Sequence, residues 1–149
     1  MSIKTLSKNE EKQVILDSRY MRMANVWSEN SYCIRRKVGA LIVKDKMIIS
    51  DGYNGTPAGF ENICEDSNDT TKPYVLHAEA NAITKVAKSN NSSLGATMYV
   101  TASPCIECAK LIIQAGIARV VYGDEYRDTS GLDLLKRAGI ETFFMPAEK

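Results

Sequence analysis

The chain is expected to fold as an α/β protein. The expected form is a three-layer α/β/α sandwich around a mixed five-stranded sheet, an N-terminal β-hairpin followed by αβ units. Three observations carry this. Two β-rich runs in "VGALIVKDKMIISDGYN" are joined by a turn at Asp45-Lys46. From residue 76 onward, helical and β-rich stretches alternate. "QAGIARVVY" and "RAGIETFFM" repeat one logic, in which Gly116 or Gly139 stops a helix and a strand begins at once.

The elements follow in order. Ser7-Lys-Asn-Glu10 has the form of a capping box, and Leu16, Tyr20, Met23 and Trp27 recur at helical spacing, so a helix is expected over 7–30. The hairpin strands cover 38–44 and 47–53. Residues 54–73 are rich in Gly, Pro, Asn and Asp and form the longest irregular stretch, a kind of loop that in a compact domain usually serves function when it is ordered. A helix over 77–89 leads to a strand at 96–101, a helix over 105–115 to a strand at 118–123, and a helix over 130–138 to a strand at 140–145. Successive αβ units make the later strands parallel, with the hairpin at one side of the sheet. Residues 1–149 contain no linker and no repeat period, so they read as one domain.

A chain of 149 residues is long enough to bury a core, and 44% apolar with 25% charged residues is the composition of a folded globular protein. The net charge is +1 and the basic residues are scattered, apart from Arg35-Arg36-Lys37. That excludes a dedicated nucleic-acid platform and leaves room for a small anionic ligand. The N-terminus is polar and mixed in charge, unlike a signal or transit peptide, and no apolar run approaches a membrane span. A cytoplasmic setting is therefore expected, with the four cysteines as reduced thiols.

The chemistry lies in two short motifs, "HAE" at 77–79 and "PCIEC" at 104–108, each opening an expected helix directly after a loop. Cys105 and Cys108, three apart, point to one side of a helix start, where the helix dipole favours the thiolate that a metal requires. His77 and Glu79, two apart, diverge along a helix but can converge just beyond its first turn. One His and two Cys supply three zinc ligands and leave the fourth tetrahedral position to water, which is the catalytic pattern. Glu79 is placed to take a proton from that water and pass it to a leaving nitrogen. Two other readings stay open. A CxxC beside βαβ elements also suits a thioredoxin-like redox pair, and a closed structural zinc site would take Cys33 or Cys64 as a fourth ligand. The redox reading leaves His77, the only histidine, without a role.

H-x-E followed by P-C-x-x-C is the signature of the zinc deaminases. With "VGALIV" (38–43), "GYNGTPAG" (52–59), "YVLHAEANAI" (74–83), "MYVTASPCIECAKLIIQAGI" (98–117) and "VVYGDEYRD" (120–128), the chain resembles the deoxycytidylate (dCMP) deaminases of the cytidine deaminase-like superfamily. The resemblance covers nearly everything after the first helix. HxE and PCxxC point to the superfamily alone, and "GYNG" with the extended "SPCxECAKLIIQAGI" run narrows it to the dCMP branch.

The resemblance implies a cytidine deaminase-like fold and one catalytic zinc held by His77, Cys105 and Cys108, with Glu79 as proton shuttle. Water would add to C4 of cytosine and ammonia would leave, giving dUMP. It further implies a substrate-binding set of Asn54 and Arg35 near sugar and phosphate, with Ala78, Ser103 and, over the base, Tyr126. Gly52, Tyr53 and Gly55 belong to the loop near which many relatives bind dCTP as activator, with Mg²⁺, or dTTP as inhibitor. Many relatives are also hexamers, so a homo-oligomer is implied. Some carry a second, structural zinc, for which this chain lacks a further histidine. Cytidine, guanine and tRNA adenosine deaminases are the neighbouring alternatives.

Overall fold

The structure, a computed structural model, describes residues 5–146. Helix α1 spans Lys8–Ser28, and strands β1 (Gly39–Lys44) and β2 (Met47–Tyr53) form the hairpin. Then follow α2 (Ala78–Ala87), β3 (Thr97–Ala102), α3 (Ile106–Gln114), β4 (Arg119–Asp124), α4 (Ser130–Arg137) and β5 (Glu141–Phe144). The sheet order is β2-β1-β3-β4-β5. β1 runs antiparallel to both β2 and β3, whereas β3, β4 and β5 are parallel. The expected mixed sheet with its hairpin at one side is therefore the sheet observed.

Each element starts and stops for a local reason. The Ser7 hydroxyl accepts the Glu10 amide at 3.2 Å and caps α1. Asp45 and Lys46 adopt φ values of 51° and 62°, the left-handed pair that a two-residue hairpin turn with right-handed twist demands. Gly116 (φ 77°) and Gly139 (φ 82°) end α3 and α4 in the left-handed region.

Strand periodicity sorts side chains to the two faces. Ala40, Ile42, Met98, Val100, Val120 and Tyr122 pack under α2, α3 and α4. Leu41, Val43, Tyr99 and Val121 face α1, meeting Met21 and Ala24. Three layers result.

Under α1 sits a buried polar cluster. The Asp17 side chain is only 3% exposed and takes two hydrogen bonds from Arg119, at 2.9 and 2.5 Å, and one from the Tyr99 hydroxyl at 2.5 Å. Burial alone would raise the Asp17 carboxyl, but the bonds from Arg119, Tyr99 and Gln13 outweigh it and hold the group below its ordinary value. A depressed carboxylate contributes stability above its unfolded pKa and loses it as pH falls through the lower folded value. Arg119→Leu should leave Asp17 buried without its partner and lower stability by about 3–5 kcal/mol in neutral urea melts. That deficit should shrink in acid, once Asp17 is protonated in both states.

The cysteine expectation needs one correction. Cys33 and Cys64 are joined by a disulfide and are not free thiols; the free cysteines are Cys105 and Cys108. Cys33 lies past the end of α1, in the segment leading to β1. The long loop folds back on that segment because Asn54 and Glu65 bind its backbone, and this return brings together two residues 31 apart in sequence. Closing a loop of that length stabilises by about 3–4 kcal/mol on chain-entropy grounds. Reduction, or Cys33→Ser with Cys64→Ser, should lower the melting temperature accordingly, read by calorimetry with thiol counting.

Candidate active site

His77 is the residue before α2 and Cys105 the residue before α3; both have extended backbone at the helix entrance. α3 starts beyond the carboxyl end of β3, where open α/β sheets place their ligands. α2 can lie close on the hairpin because β2 carries glycine at position 52. A Cβ there would stand 2.5 Å from the Ala78 carbonyl oxygen and 2.7 Å from the Ala82 nitrogen. Gly131 does the same for α3: a Cβ would lie 2.0 Å from the carbonyl oxygen of Pro104. The two helix entrances thereby meet.

There the His77 Nδ1 lies 3.5 Å from the Cys105 Sγ and 3.3 Å from the Cys108 Sγ, and the three ligand atoms fall within 4.8 Å of one another. Zinc bond lengths of about 2.0 Å to nitrogen and 2.3 Å to sulfur put tetrahedral N···S pairs about 3.5 Å apart, so the residues fit the ion. The protonation pattern agrees. Hydrogen bonds from Cys108 and His77 push the Cys105 thiol down to about 3, while the Cys105 thiolate and burial push Cys108 up. His77 is raised by its bond to Cys105. A divalent cation bound by both sulfurs would displace the remaining thiol proton.

Glu79, in the first turn of α2, is 4% exposed. Burial pushes its carboxyl up to about 7, against the opposing pull of its backbone hydrogen bond and of His77. A carboxyl near neutrality can accept and release a proton at working pH.

His77, Glu79 and Cys105 line one cavity of about 430 Å³, within the range of small-molecule sites, and Cys108 is buried beside His77. Its wall contains His77, Ala78, Glu79, Ser103, Cys105, Arg35, Asn54 and Tyr126, so the expected substrate-binding residues share one space with two of the three expected zinc ligands. Their tasks differ. The Asn54 side chain accepts the Val38 amide at 2.8 Å and donates to the Arg36 carbonyl at 2.7 Å, so it braces the arginine segment and keeps one N–H and one lone pair free. Ser103 accepts the Tyr126 amide at 3.0 Å and thereby fixes the loop after β4. Tyr126 is stacked against Arg36, whose guanidinium carbon is 4.3 Å from the ring centroid.

Tyr53 and Gly55 line a second cavity of about 120 Å³ with Tyr32, Pro57 and Cys64, whereas Gly52 is buried under α2. Sequence reasoning missed Arg36, which lines the main cavity and pairs with Asp124 at 3.1 Å. It also missed Glu65, on the same wall, and Gly131 behind the cysteines. Only adjacency to Arg35 could have suggested Arg36, and nothing local marks Glu65.

A sequence model described as "Cytidine and deoxycytidylate deaminase zinc-binding region" matches residues 15–124. The chain belongs to the cytidine and deoxycytidylate deaminase family. It is 37% identical to the deoxycytidylate deaminase of Enterobacteria phage T4, over 87% of this chain and 89% of that one. It is 41% identical to the human deoxycytidylate deaminase, over 74% and 66% of the two chains. The dCMP deaminase of cyanophage S-TIM5, solved in complex with dCMP and dUMP, superposes with a TM-score of 0.84 at 43% identity, covering 95% of this chain and all of that one. Among solved structures, this likeness extends to the fold as a whole. Family membership accounts for the His/Cys/Cys cluster as a zinc site and removes the thioredoxin-like reading.

Proposed function

We propose that this chain is a zinc-dependent dCMP deaminase, converting dCMP and water to dUMP and ammonia. The observation that carries the reading is one cavity lined by His77, Glu79 and Cys105 together with Arg35, Arg36 and Tyr126, with the Cys108 Sγ 3.3 Å from the His77 Nδ1. The likeness to deaminases of that substrate, and to a structure with dCMP and dUMP bound, supports the same choice. The role in metabolism that follows is the supply of dUMP for thymidylate synthesis.

His77, Cys105 and Cys108 would hold a single zinc ion, which when bound acts as a Lewis acid and makes water nucleophilic near neutral pH. The protein's own residues do the rest. Glu79, buried and with its carboxyl pushed up to about 7, takes one proton of the attacking water for ring N3. It then carries the remaining hydroxyl proton to the departing N4 nitrogen, so that ammonia leaves and C4 keeps the oxygen. Ala78, small and fully buried, leaves room for the flat ring, and Tyr126 lines the same cavity. Asn54 and Ser103 hold the arginine segment and the Tyr126 loop in place.

Arg35 is our phosphate residue. Its backbone is held by Glu65 and its exposed side chain borders the cavity, while the neighbouring guanidinium of Arg36 is already engaged by Asp124 and Tyr126. A planar fork suits a phosphate. Arg35→Ala should raise KM for dCMP by about 10- to 100-fold and leave deoxycytidine, which has no phosphate, almost unchanged. Equal effects on the two substrates would remove Arg35 from the phosphate site.

We place regulatory dCTP (with Mg²⁺) and dTTP at the loop of Gly52, Tyr53 and Gly55. The cavity of about 120 Å³ beside Tyr53 and Gly55 is below the range of small-molecule sites, so this reading goes with a homo-oligomer, a hexamer by family resemblance, in which another copy completes the site. Exposed Tyr32 (62%) and Ile34 (85%) beside that loop suit such a contact.

A further inference from the structure

The disulfide between Cys33 and Cys64 stands at a place where it can do more than stabilise the fold. Cys33 lies two residues before Arg35, in the irregular segment between α1 and β1. Cys64 directly precedes Glu65 in the long loop. Beside the bridge, the Ile34 and Arg35 amides donate to the Glu65 Oε2 at 3.0 and 3.3 Å. Cys33 lines the main cavity together with Arg35 and Glu65, and Cys64 lines the smaller cavity behind it. The bridge is thus the covalent fastening of the wall that carries the phosphate residue.

Opening the bridge would act on one end of the cavity. Tyr126 has its own anchor in Ser103, and the zinc ligands stand at the entrances of α2 and α3, with Cys105 and Cys108 already thiols. Arg35 depends on the loop, because its amide bonds to Glu65 and the loop is tied down next to that residue, at Cys64. Without the tie, the loop regains conformational freedom, and hydrogen bonds of modest net strength must oppose it. The loss falls on the phosphate end and spares the metal end.

We propose that Cys33 and Cys64 form a reversible redox site that sets the affinity of the cavity for the phosphate of its ligand. The reductant is a dithiol. One of its thiolates attacks a sulfur of the bridge and forms a mixed disulfide; its second thiol then closes a disulfide within the reductant and releases both cysteines. Two electrons pass from the dithiol to the bridge, and its two protons end on the Cys33 and Cys64 sulfurs. The cysteines are only 3% and 1% exposed, but each borders a cavity, which gives a small thiol its approach. The coupling is reciprocal: if the oxidised form binds the phosphate more tightly, bound phosphate makes the bridge harder to reduce by the same factor. The inference rests on the dCMP reading above.

The test uses the wild type in two forms at equal zinc content: oxidised, with two free thiols per chain, and reduced by dithiothreitol, with all four free. Reduction should lower kcat/KM for dCMP by about 10-fold, the low end of what hydrogen bonds to a charged group contribute, and leave deoxycytidine within about threefold. Cys33→Ser with Cys64→Ser should show the reduced value whether or not the dithiol is present. In a redox titration, saturating dUMP, which carries the phosphate and is not turned over, should lower the midpoint of the bridge by about 30 mV. That is the equivalent of a tenfold preference in a two-electron couple, and deoxyuridine should not produce it. A thiol count that stays at two under excess dithiol, or an unchanged constant for dCMP after reduction, would overturn the proposal. An equal fall for both substrates would also overturn it, since a general loosening does not single out Arg35. A wild type that deaminates neither compound in either form would instead sink the deaminase reading, and this proposal with it.

Discussion

Glu79→Gln should keep its zinc and lose deamination by about 10²- to 10⁴-fold, the span of positioned proton transfer. The substitution is nearly isosteric in a position that is 4% exposed, so packing on α2 is retained. What disappears is a carboxyl that titrates near 7 beside His77. An amide neither takes a proton from water nor delivers one to nitrogen. Because the removed group acts in transfer, kcat should carry the loss while KM for dCMP stays within a few-fold. Zinc per chain, measured by metal analysis, should remain that of the wild type. A variant that deaminates at close to the wild-type rate would refute the assigned mechanism.

The second large effect concerns the metal. Cys108 is buried in the first turn of α3, with its Sγ 3.3 Å from the His77 Nδ1. Cys108→Ser replaces a soft thiolate ligand by a hydroxyl that stays protonated at neutral pH, leaving two strong ligands where three are needed. Bound zinc should be lost and activity should fall to background. Stability should fall as well, since a ligand at about 1,000 times its Kd contributes ~4 kcal/mol to the folded state. In the wild type a chelator should therefore lower the melting temperature. In Cys108→Ser the same chelator should change nothing. A variant that still binds zinc tightly would show that the ion is held elsewhere.

Gly116 and Gly139 illustrate what could be read from the chain alone. Each marks a helix end by its own chemistry, and the β-rich run that follows sets the αβ alternation, hence the parallel strands. The hairpin was equally legible, because a local turn at Asp45-Lys46 joins two adjacent runs. His77, Cys105 and Cys108 were legible for a different reason: ligand chemistry restricts residue type and spacing within each helix start. Their meeting across 28 residues of sequence, from His77 to Cys105, needed the fold.

What stayed hidden depends on the long loop returning to the segment before β1. Nothing in the local sequence around Cys33 or Cys64 indicates that the two approach each other, so the disulfide replaced an expectation of free thiols drawn from the setting alone. Glu65 reads as an ordinary loop acid until its bonds to Ile34 and Arg35 are seen. Asn54 reads as a turn residue beside a glycine, yet its amide is the brace for Arg36 and Val38. Long-range returns of this kind carry no periodic signal.

The most direct measurement is product analysis on zinc-loaded protein incubated with dCMP, with nucleotides separated by anion exchange and ammonia measured in parallel. Formation of dUMP and ammonia in equal amounts is the expected result, with deoxycytidine, CMP, dCTP and guanine converted far more slowly. Unchanged dCMP beside deamination of one of those other compounds would contradict the assignment.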